Sequence, residues 1–530
     1  MIDTKALREK VLDLAIRGKL VPQDPNDEPA SVLLERIRQQ KQQMVKEGKL
    51  KAKDIKNDTI IFIGEDNLHY EKFADGSVKC IEDEIPFELP EGWQWVRLGC
   101  LAQYKKGPFG SSITKAMFVP DNPGAVKVYE QKNAISKDAS LGNYFISAEK
   151  YETLKGFEVF PNDIIVSCAG TIGETYVLPT SMRKGIINQA LMKISLYDLG
   201  ILEFYLMYFD FQLKRAAQEQ GYGVALKNIP PFDMLKRYLV PIPPIQEQQR
   251  IIAAVNNLLF KVDSIDADSK AIFALIAQTK AKILDLAIRG QLVPQDPTDE
   301  PASVLLERIR AEKEELIKQG KIKRDKKESV IFRGEDNSYY LKTGDLLESL
   351  EDWAFEELPD NWEICCLGEL CDYGNCINVD TAEVDGSAWM LDLEDIEKDT
   401  GVVLQKIRKA ERNAASTKHL FRKGQVLYSK LRPYLNKVVL ADEDGYCTSE
   451  ILPLEFERNI LPPYARYYLM SPTFLAYADK CSYGVKMPRL GTTDGKKTVI
   501  SIPPIEEQKR IVLAIEKAFS QLTLIAEKLS

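Results

Sequence analysis

The chain has 530 residues, 71 Lys and Arg against 79 Asp and Glu, and a formal net charge of −8. Such a length accommodates several domains, and the acidic balance excludes a protein that grips nucleic acid by bulk electrostatics alone, unless basic residues are gathered locally or a partner supplies the phosphate contacts. Two histidines leave little material for imidazole acid–base chemistry.

The N-terminal stretch MIDTKALREKVLDLAIRGK predicts a polar amphipathic helix with no signal-peptide apolar block. No run of eighteen apolar residues follows, so the expectation is a cytoplasmic chain without a membrane partner. Leu12 to Arg38, LDLAIRGKLVPQDPNDEPASVLLERIR, returns from Leu284 to Arg310, changed only at Lys19/Gln291 and Asn26/Thr298. The chain is an internal duplication. After each VPQDP turn a second helix is predicted, Ser31 to Glu47 and Ser303 to Gln319, with Ser as N-cap. The charged stretches KLKAKDIKND and KIKRDKKES that follow read as solvated linker, and each leads to a GEDN element (Phe62; Phe332). The nine cysteines (80, 100, 168, 365, 366, 371, 376, 447, 481) do not match between the repeats, as a duplicated disulfide framework should, and their spacing is not that of a zinc site.

Between the repeated parts lie two divergent inserts, from about Pro86 to Pro243 and from about Ala354 to Pro503. They start at LPEGW and LPDNW and end at PIPPIQEQQRI and SIPPIEEQKRI. Both mix β-like segments (DIIVS at Asp163, QVLYS at Gln425, KVVLA at Lys437) with helical ones (LEFYLMYFDFQLKRAAQ; PPYARYYLMSPTFLAYA), which predicts two compact α/β domains whose strands close on themselves. From Ile251 the apolar positions Val255, Leu258, Val262, Ile265, Ile272, Ile276, Ile283 and Leu286 step by three and four, with Ser269 and Thr279 polar in register. This is a heptad seam of about five heptads and about 50–60 Å. Ile511, Ile515, Ala518, Leu522, Ile525 and Leu529 repeat its first half, and Leu7, Val11 and Leu14 its second. The repeat is therefore cyclically permuted. The expected fold is α/β (α+β): two α/β domains separated by two long antiparallel coiled-coil helices about an internal pseudo-twofold axis. The expected divisions are 1–50 (N-terminal helices), 86–243 (first domain), 244–325 (central helical spacer), 354–503 (second domain) and 504–530 (C-terminal helix).

Catalytic motifs are near misses. Leu461-Pro462-Pro463-Tyr464 has the outline of an amino-methyltransferase loop, but that loop needs Asn or Asp where Leu461 stands. GTTDGKKT from Gly491 is one residue short of a P-loop and reads as a turn. Asp121, Glu130 and Lys132 have the outline of a Mg-dependent nuclease site, provided the carboxylates fall on adjacent strands. What remains is polar, basic and aromatic residues in insert turns, whose side chains suit phosphates and base edges. In the first insert these are Lys105, Lys106, Gly107, Phe109, Ser111, Ser112, Gln131, Lys132, Asn133, Lys227 and Asn228. In the second they are Ser429, Lys430, Arg432, Tyr434, Asn436, Lys437, Lys486 and Arg489.

PIPPIQEQQRI and SIPPIEEQKRI, ILDLAIRGQL, LPEGW and LPDNW, GPFGSS, SKLRPYLNK and the permuted duplication together resemble the specificity subunit of type I restriction-modification enzymes, over nearly the whole chain. The resemblance implies a non-catalytic subunit that reads an asymmetric, bipartite site on double-stranded DNA through two target recognition domains. It also implies two modification (methyltransferase) subunits docked on the helices and two restriction/translocase subunits. Adenosylmethionine, ATP and Mg would sit on those partners, with no cofactor and no metal in this chain, whose role would be defence against foreign DNA. Two alternatives from the residues themselves are a stand-alone nuclease and a scaffold that binds protein rather than DNA.

Overall fold

The computed structural model describes residues 2–168, 171–219, 231–320, 329–336, 338–350, 358–412, 416–456 and 459–529. The chain forms two compact units, Ile2–Ala267 and Asp268–Ser530, with the boundary inside the 44-residue helix Ile245–Ile288. Each unit mixes helix and strand, and each is built to the same plan.

In the first unit the helix Thr4–Ile16 starts on Asp3, whose carboxylate accepts from the Ala6 amide at 2.8 Å. It stops before Gly18, which takes φ +64° and where a Cβ would lie 2.4 Å from the Pro90 ring. Val11, Ala15 and Ile16 share a core with Ile251 and Val255. The two helices run antiparallel, since Arg8 pairs with Asp263 while Gln23 reaches Glu247. In the second unit Ile283, Leu284 and Ala287 share a core with Ile511, Val512 and Ile515 of the helix Ile505–Leu529, and Lys280 lies over the Phe519 ring at 5.4 Å. Of the heptad positions, Ile251, Val255, Val262, Ile276, Ile511 and Ile515 are buried. Leu258, Ile272, Ile283, Leu286, Val11, Leu14 and Leu522 are half-buried, whereas Leu7, Ile265 and Ile525 are exposed.

The helices after the VPQDP turns are Ala30–Lys46 and Ala302–Lys318, and here a sequence expectation is corrected. Ser31 and Ser303 lie inside them, and the N-caps are Pro29 and Pro301 without a side-chain bond. The first free amides donate instead to the turn opening each insert, Ala30 N to Gly92 O at 2.8 Å and Ala302 N to Asn361 O at 2.9 Å. The lysines of the first charged stretch are exposed, as expected of a solvated linker, while its last residue, Asp58, pairs at 2.5 Å with Lys41, which is 1% exposed. In the second copy, residues 321–328 lie outside the described residues. Beyond each stretch stands a three-stranded antiparallel sheet, Ile60–Ile63, His69–Lys72 and Val78–Cys80, or Ser329–Arg333, Tyr339–Thr343 and Leu346–Ser349.

Each insert is closed at its base by its own two ends. Gln94–Arg97 pairs antiparallel with Leu239–Ile242, and Glu363–Cys366 with Val499–Ile502. Inside, the two inserts share one strand order despite their unlike sequences. The first has a four-stranded sheet in the order Thr175–Val177, Ile164–Ser167, Leu191–Leu196, Ala102–Lys106. The second repeats it as Val438–Leu440, Val426–Ser429, Ile451–Leu454, with a single bridge from Phe456 to Cys371 in the fourth place. The other sheet holds one parallel pair in each insert, Val126–Tyr129 with Gly185–Ile187 and Trp389–Leu391 with Gly445–Thr448. Among the described residues these sheets are open rather than closed on themselves.

The helical segment read in the second insert is found in two pieces, and one turn reading is corrected. The segment PPYARYYLMSPTFLAYA is two helices, Pro462–Leu469 and Pro472–Cys481, because Pro472 lacks the amide needed to continue the first and Ser471 caps the second by accepting from Phe474 N. The run from Gly491 is a short helix, Thr492–Lys497, where a Cβ on Gly495 would lie 2.2 Å from the Tyr373 ring. Among the described residues no helix is long and apolar enough to cross a membrane.

Candidate nucleic-acid interface

Each insert is held by a duplicated polar corner. Trp93 Nε1 donates to Glu247 Oε2 at 3.0 Å and Gln23 Nε2 to Glu247 Oε1 at 3.1 Å; in the second unit Trp362 and Gln295 donate to Glu507 at 3.0 and 2.6 Å. Arg250 pairs with Asp27 at 2.5 Å and Arg510 with Asp299 at 2.6 Å. Burial pushes the Glu247 and Glu507 carboxyls above their ordinary pKa, against the pull of those donors. The corner ties three sequence-distant parts together: the turn after the first helix, the insert entry and the start of the next long helix.

The sheets above these corners present the candidate residues. In the first insert, Lys106 ends the strand that pairs with Leu191–Leu196, and the chain turns at Gly107 against the Asn188 carbonyl, which a Cβ would approach to 1.8 Å. No side chain fits there. Beyond it Pro108 is buried, while Phe109, 87% exposed, and Ser111 project at the start of a 3-10 turn, with Ser112 half-buried behind them. Strand pairing sets this loop beside Gln189, an exposed side chain that sequence reasoning missed because the adjacency is made by pairing between segments far apart in the chain. Cys168, whose amide bonds Ala190 O at 2.8 Å, joins the same edge, and Gln131 reaches Thr171 O at 3.5 Å. Lys106, Gly107, Phe109, Ser111, Gln131 and Gln189 are thus gathered at neighbouring strand ends.

Other candidates point elsewhere. Asn133 is fully buried, accepting from Glu130 N at 2.8 Å and donating to Asp138 O and Leu141 O. Its counterpart in the second insert is Asp395, also fully buried, which accepts from Asp392 N at 2.8 Å and takes Arg412 in a two-pronged pair. Lys132 is paired with Glu130 at 2.9 Å, and Lys105 lies over the Phe157 ring. Lys227 and Asn228 lie outside the described residues.

In the second insert, the run from Ser429 to Lys437 is a turn between paired strands. Arg432 and Asn436 both adopt left-handed backbone, φ +50° and +48°, on either side of a 3-10 turn. Ser429 is buried and donates to Leu431 O, Asn436 is buried with its amide on Met470 O, and Lys437 Nζ donates inward to Leu393 O at 2.6 Å, where burial lowers its pKa. Arg432 and Tyr434 remain exposed, and Lys430 is half-exposed. Alongside runs the loop Tyr483 to Arg489, closed by mutual backbone bonds between those two residues and joined to the turn through Arg432 N to Pro488 O at 2.7 Å. Arg489 is held by Glu450 at 2.7 Å, while Lys486 points into solvent. The arrangement offers cations and an aromatic ring at one end of each sheet, with amide side chains (Gln131, Gln189) added in the first insert, suited to phosphates and base edges.

The nuclease constellation gains nothing from the geometry: Asp121 is exposed and paired with Arg183 at 2.6 Å, and Lys132 is held by Glu130. Among the described residues no three His, Cys, Asp or Glu side chains cluster so as to hold a metal ion.

The chain is 30% identical over 420 residues to the EcoAI type I restriction enzyme specificity subunit of Escherichia coli, covering 70% of this chain and 63% of that one. It is also 30% identical over 421 residues to the EcoEI specificity subunit of the same species, covering 69% and 61%. The chain thus spans less than two thirds of these relatives. A solved HsdS subunit from Thermoanaerobacter tengcongensis aligns at 16% identity, covering 84% of this chain and 94% of that chain with a TM-score of 0.39. The family model described as "Type I restriction modification DNA specificity domain" matches residues 90–270 and 359–530, the two inserts with the helices that follow them, and the chain belongs to that family.

Proposed function

We propose that this chain is the DNA specificity subunit of a type I restriction-modification complex. The observation that carries the reading is the pair of inserts: one strand order and one anchoring corner used twice, with different side chains at the strand ends. A protein that holds the frame constant and varies the loops presents two versions of one binding surface. Each insert reads one half of an asymmetric, bipartite duplex site, and the long helices act as an antiparallel spacer between two readers. Half-sites read from one face of B-DNA lie about 34–36 Å apart, which a helix of this length spans. The divisions expected from the sequence, with readers at 86–243 and 354–503, are those of this proposal.

The chain works as a non-catalytic cytoplasmic subunit. Two modification subunits dock on its helices and carry adenosylmethionine, and two restriction subunits carry ATP and Mg. These partners also supply phosphate contacts, which reconciles DNA binding with a net charge of −8. The adenine is flipped and methylated in the modification subunit, while this chain sets register and sequence.

The test is single-molecule methylation sequencing of DNA from cells expressing the chain with its cognate modification subunit, against cells expressing the modification subunit alone. A split motif with fixed spacing, methylated only when the chain is present, is the expected result. No new motif from a soluble, associated complex would sink the reading in favour of a protein-binding scaffold.

A further inference from the structure

The loop at the end of the second insert carries an apolar tip that the fold itself does not use. Val485 is fully exposed, Tyr483 is 61% and Met487 46% exposed. Apolar side chains on a free loop usually fold back onto the surface. Here the loop is braced outward. Tyr483 and Arg489 exchange backbone bonds at 3.1 and 3.0 Å, Gly484 takes φ +96°, and Leu490 N bonds Lys430 O at 3.0 Å. Glu450 holds the Arg489 guanidinium through both Nε and a terminal nitrogen. The result is a fixed hairpin with Val485 at its apex.

Cations stand on the tip and beside its base, although the half-buried Asp494 carboxylate also lies near the Tyr483 ring. Lys486 sits on the tip and Arg432 beside its base, both exposed, and the nearby carboxylate of Glu450 is already taken by Arg489. An apolar apex flanked by free cations suits a duplex whose phosphates are held on either side of a base step. A protein groove of matching apolar character would not need the cations.

The sequence adds an independent point. Tyr-Gly-Val occurs at 222–224 of the first insert, outside the described residues, within one residue of the place that 483–485 hold relative to the exit strand of the second. The neighbouring turns differ between the inserts, as base-reading groups should. A tripeptide kept in both suits a task that is the same at both half-sites whatever their sequence.

We propose that Val485, backed by Tyr483 and Met487, inserts between base pairs of the half-site read by the second insert, unstacking one step while Lys486 and Arg432 hold the flanking phosphates. The inference rests on the DNA-reading function proposed above. It adds a positioning role that opens the duplex locally without selecting a base.

The test uses the full chain assembled with its modification subunits, and duplexes carrying the methylated motif with 2-aminopurine placed in turn at each position of that half-site. The wild-type complex is expected to raise fluorescence at one step away from the target adenine. Val485→Ser should abolish that rise and weaken target binding about tenfold, the loss expected when one apolar side chain is no longer buried. Lys486→Ala should weaken binding to every duplex alike and keep the fluorescence rise. If Val485→Ser retains both signal and affinity, the wedge is wrong while the DNA-reading function stands. If the wild-type complex shows no preference for the motif, the DNA-reading function itself fails. Loss of assembly with the modification subunits in Val485→Ser would mean the tip docks protein, and would overturn the wedge as well.

Discussion

At the scale of single residues, the corners and the tight turns make the firmest predictions. The folded-state pKa of Glu247 and Glu507 is raised, so the proton-linked part of their stabilisation is fully present below the ordinary value of 4.5 and is lost as pH rises through the folded value. Thermal melts of wild type and the Glu247→Gln/Glu507→Gln variant across this range are therefore expected to show wild type losing stability relative to the variant as pH rises. A parallel pair of curves would refute it. Arg412→Ala should cost about 3–5 kcal/mol in denaturant unfolding, because it strips the partner from the fully buried Asp395. Gly107→Ala is expected to cost about 1–3 kcal/mol, since a methyl group cannot share space with the Asn188 carbonyl. The sequence made Asn133 and Asn436 look like readers because an amide suits a base edge. Residue type says nothing of direction: Asn133 is turned inward to cap its own turn, and Asn436 to bond the Met470 carbonyl.

At the scale of elements, the repeated segments were legible because identity between copies needs no physical model to be seen. The long helix Ile245–Ile288 was legible from its seam, although Leu7, Ile265 and Ile525 are exposed despite standing in register. Periodicity marks the apolar stripe without marking how far a partner covers it. The shared strand order of the inserts was not legible at all. Their strands are two to six residues long and their pairing is set by contacts far apart in sequence, so neither pattern nor alternation reveals that Val426–Ser429 occupies the place of Ile164–Ser167. If the helices are the spacer, adding one heptad to the central helix and one to its counterpart lengthens them by about 10 Å. Methylation mapping should then show a motif with unchanged half-sites and a gap wider by about 3 base pairs, at about 3.4 Å per pair. Altered half-sites would contradict the division into spacer and readers.

At the scale of the whole chain, a net charge of −8 is compatible with the proposed DNA-reading function if partners share the phosphate contacts. Replacing residues 94–242 by the equivalent insert of a relative should rewrite one half of the methylated motif and leave the other untouched. A change in both halves would show that the inserts do not act independently. The boundaries suggested for that exchange follow from the paired entry and exit strands, Gln94–Arg97 with Leu239–Ile242. Those strands, with Trp93 and its glutamate, also bear on inheritance. A newly acquired insert must bring end strands that pair with each other and apolar groups that meet the flanking helices, while Trp93 and its glutamate stay with the frame. Under the proposed DNA-reading function, lineages carrying such a gene would change what they recognise by trading cassettes, without having to evolve a new protein around each one.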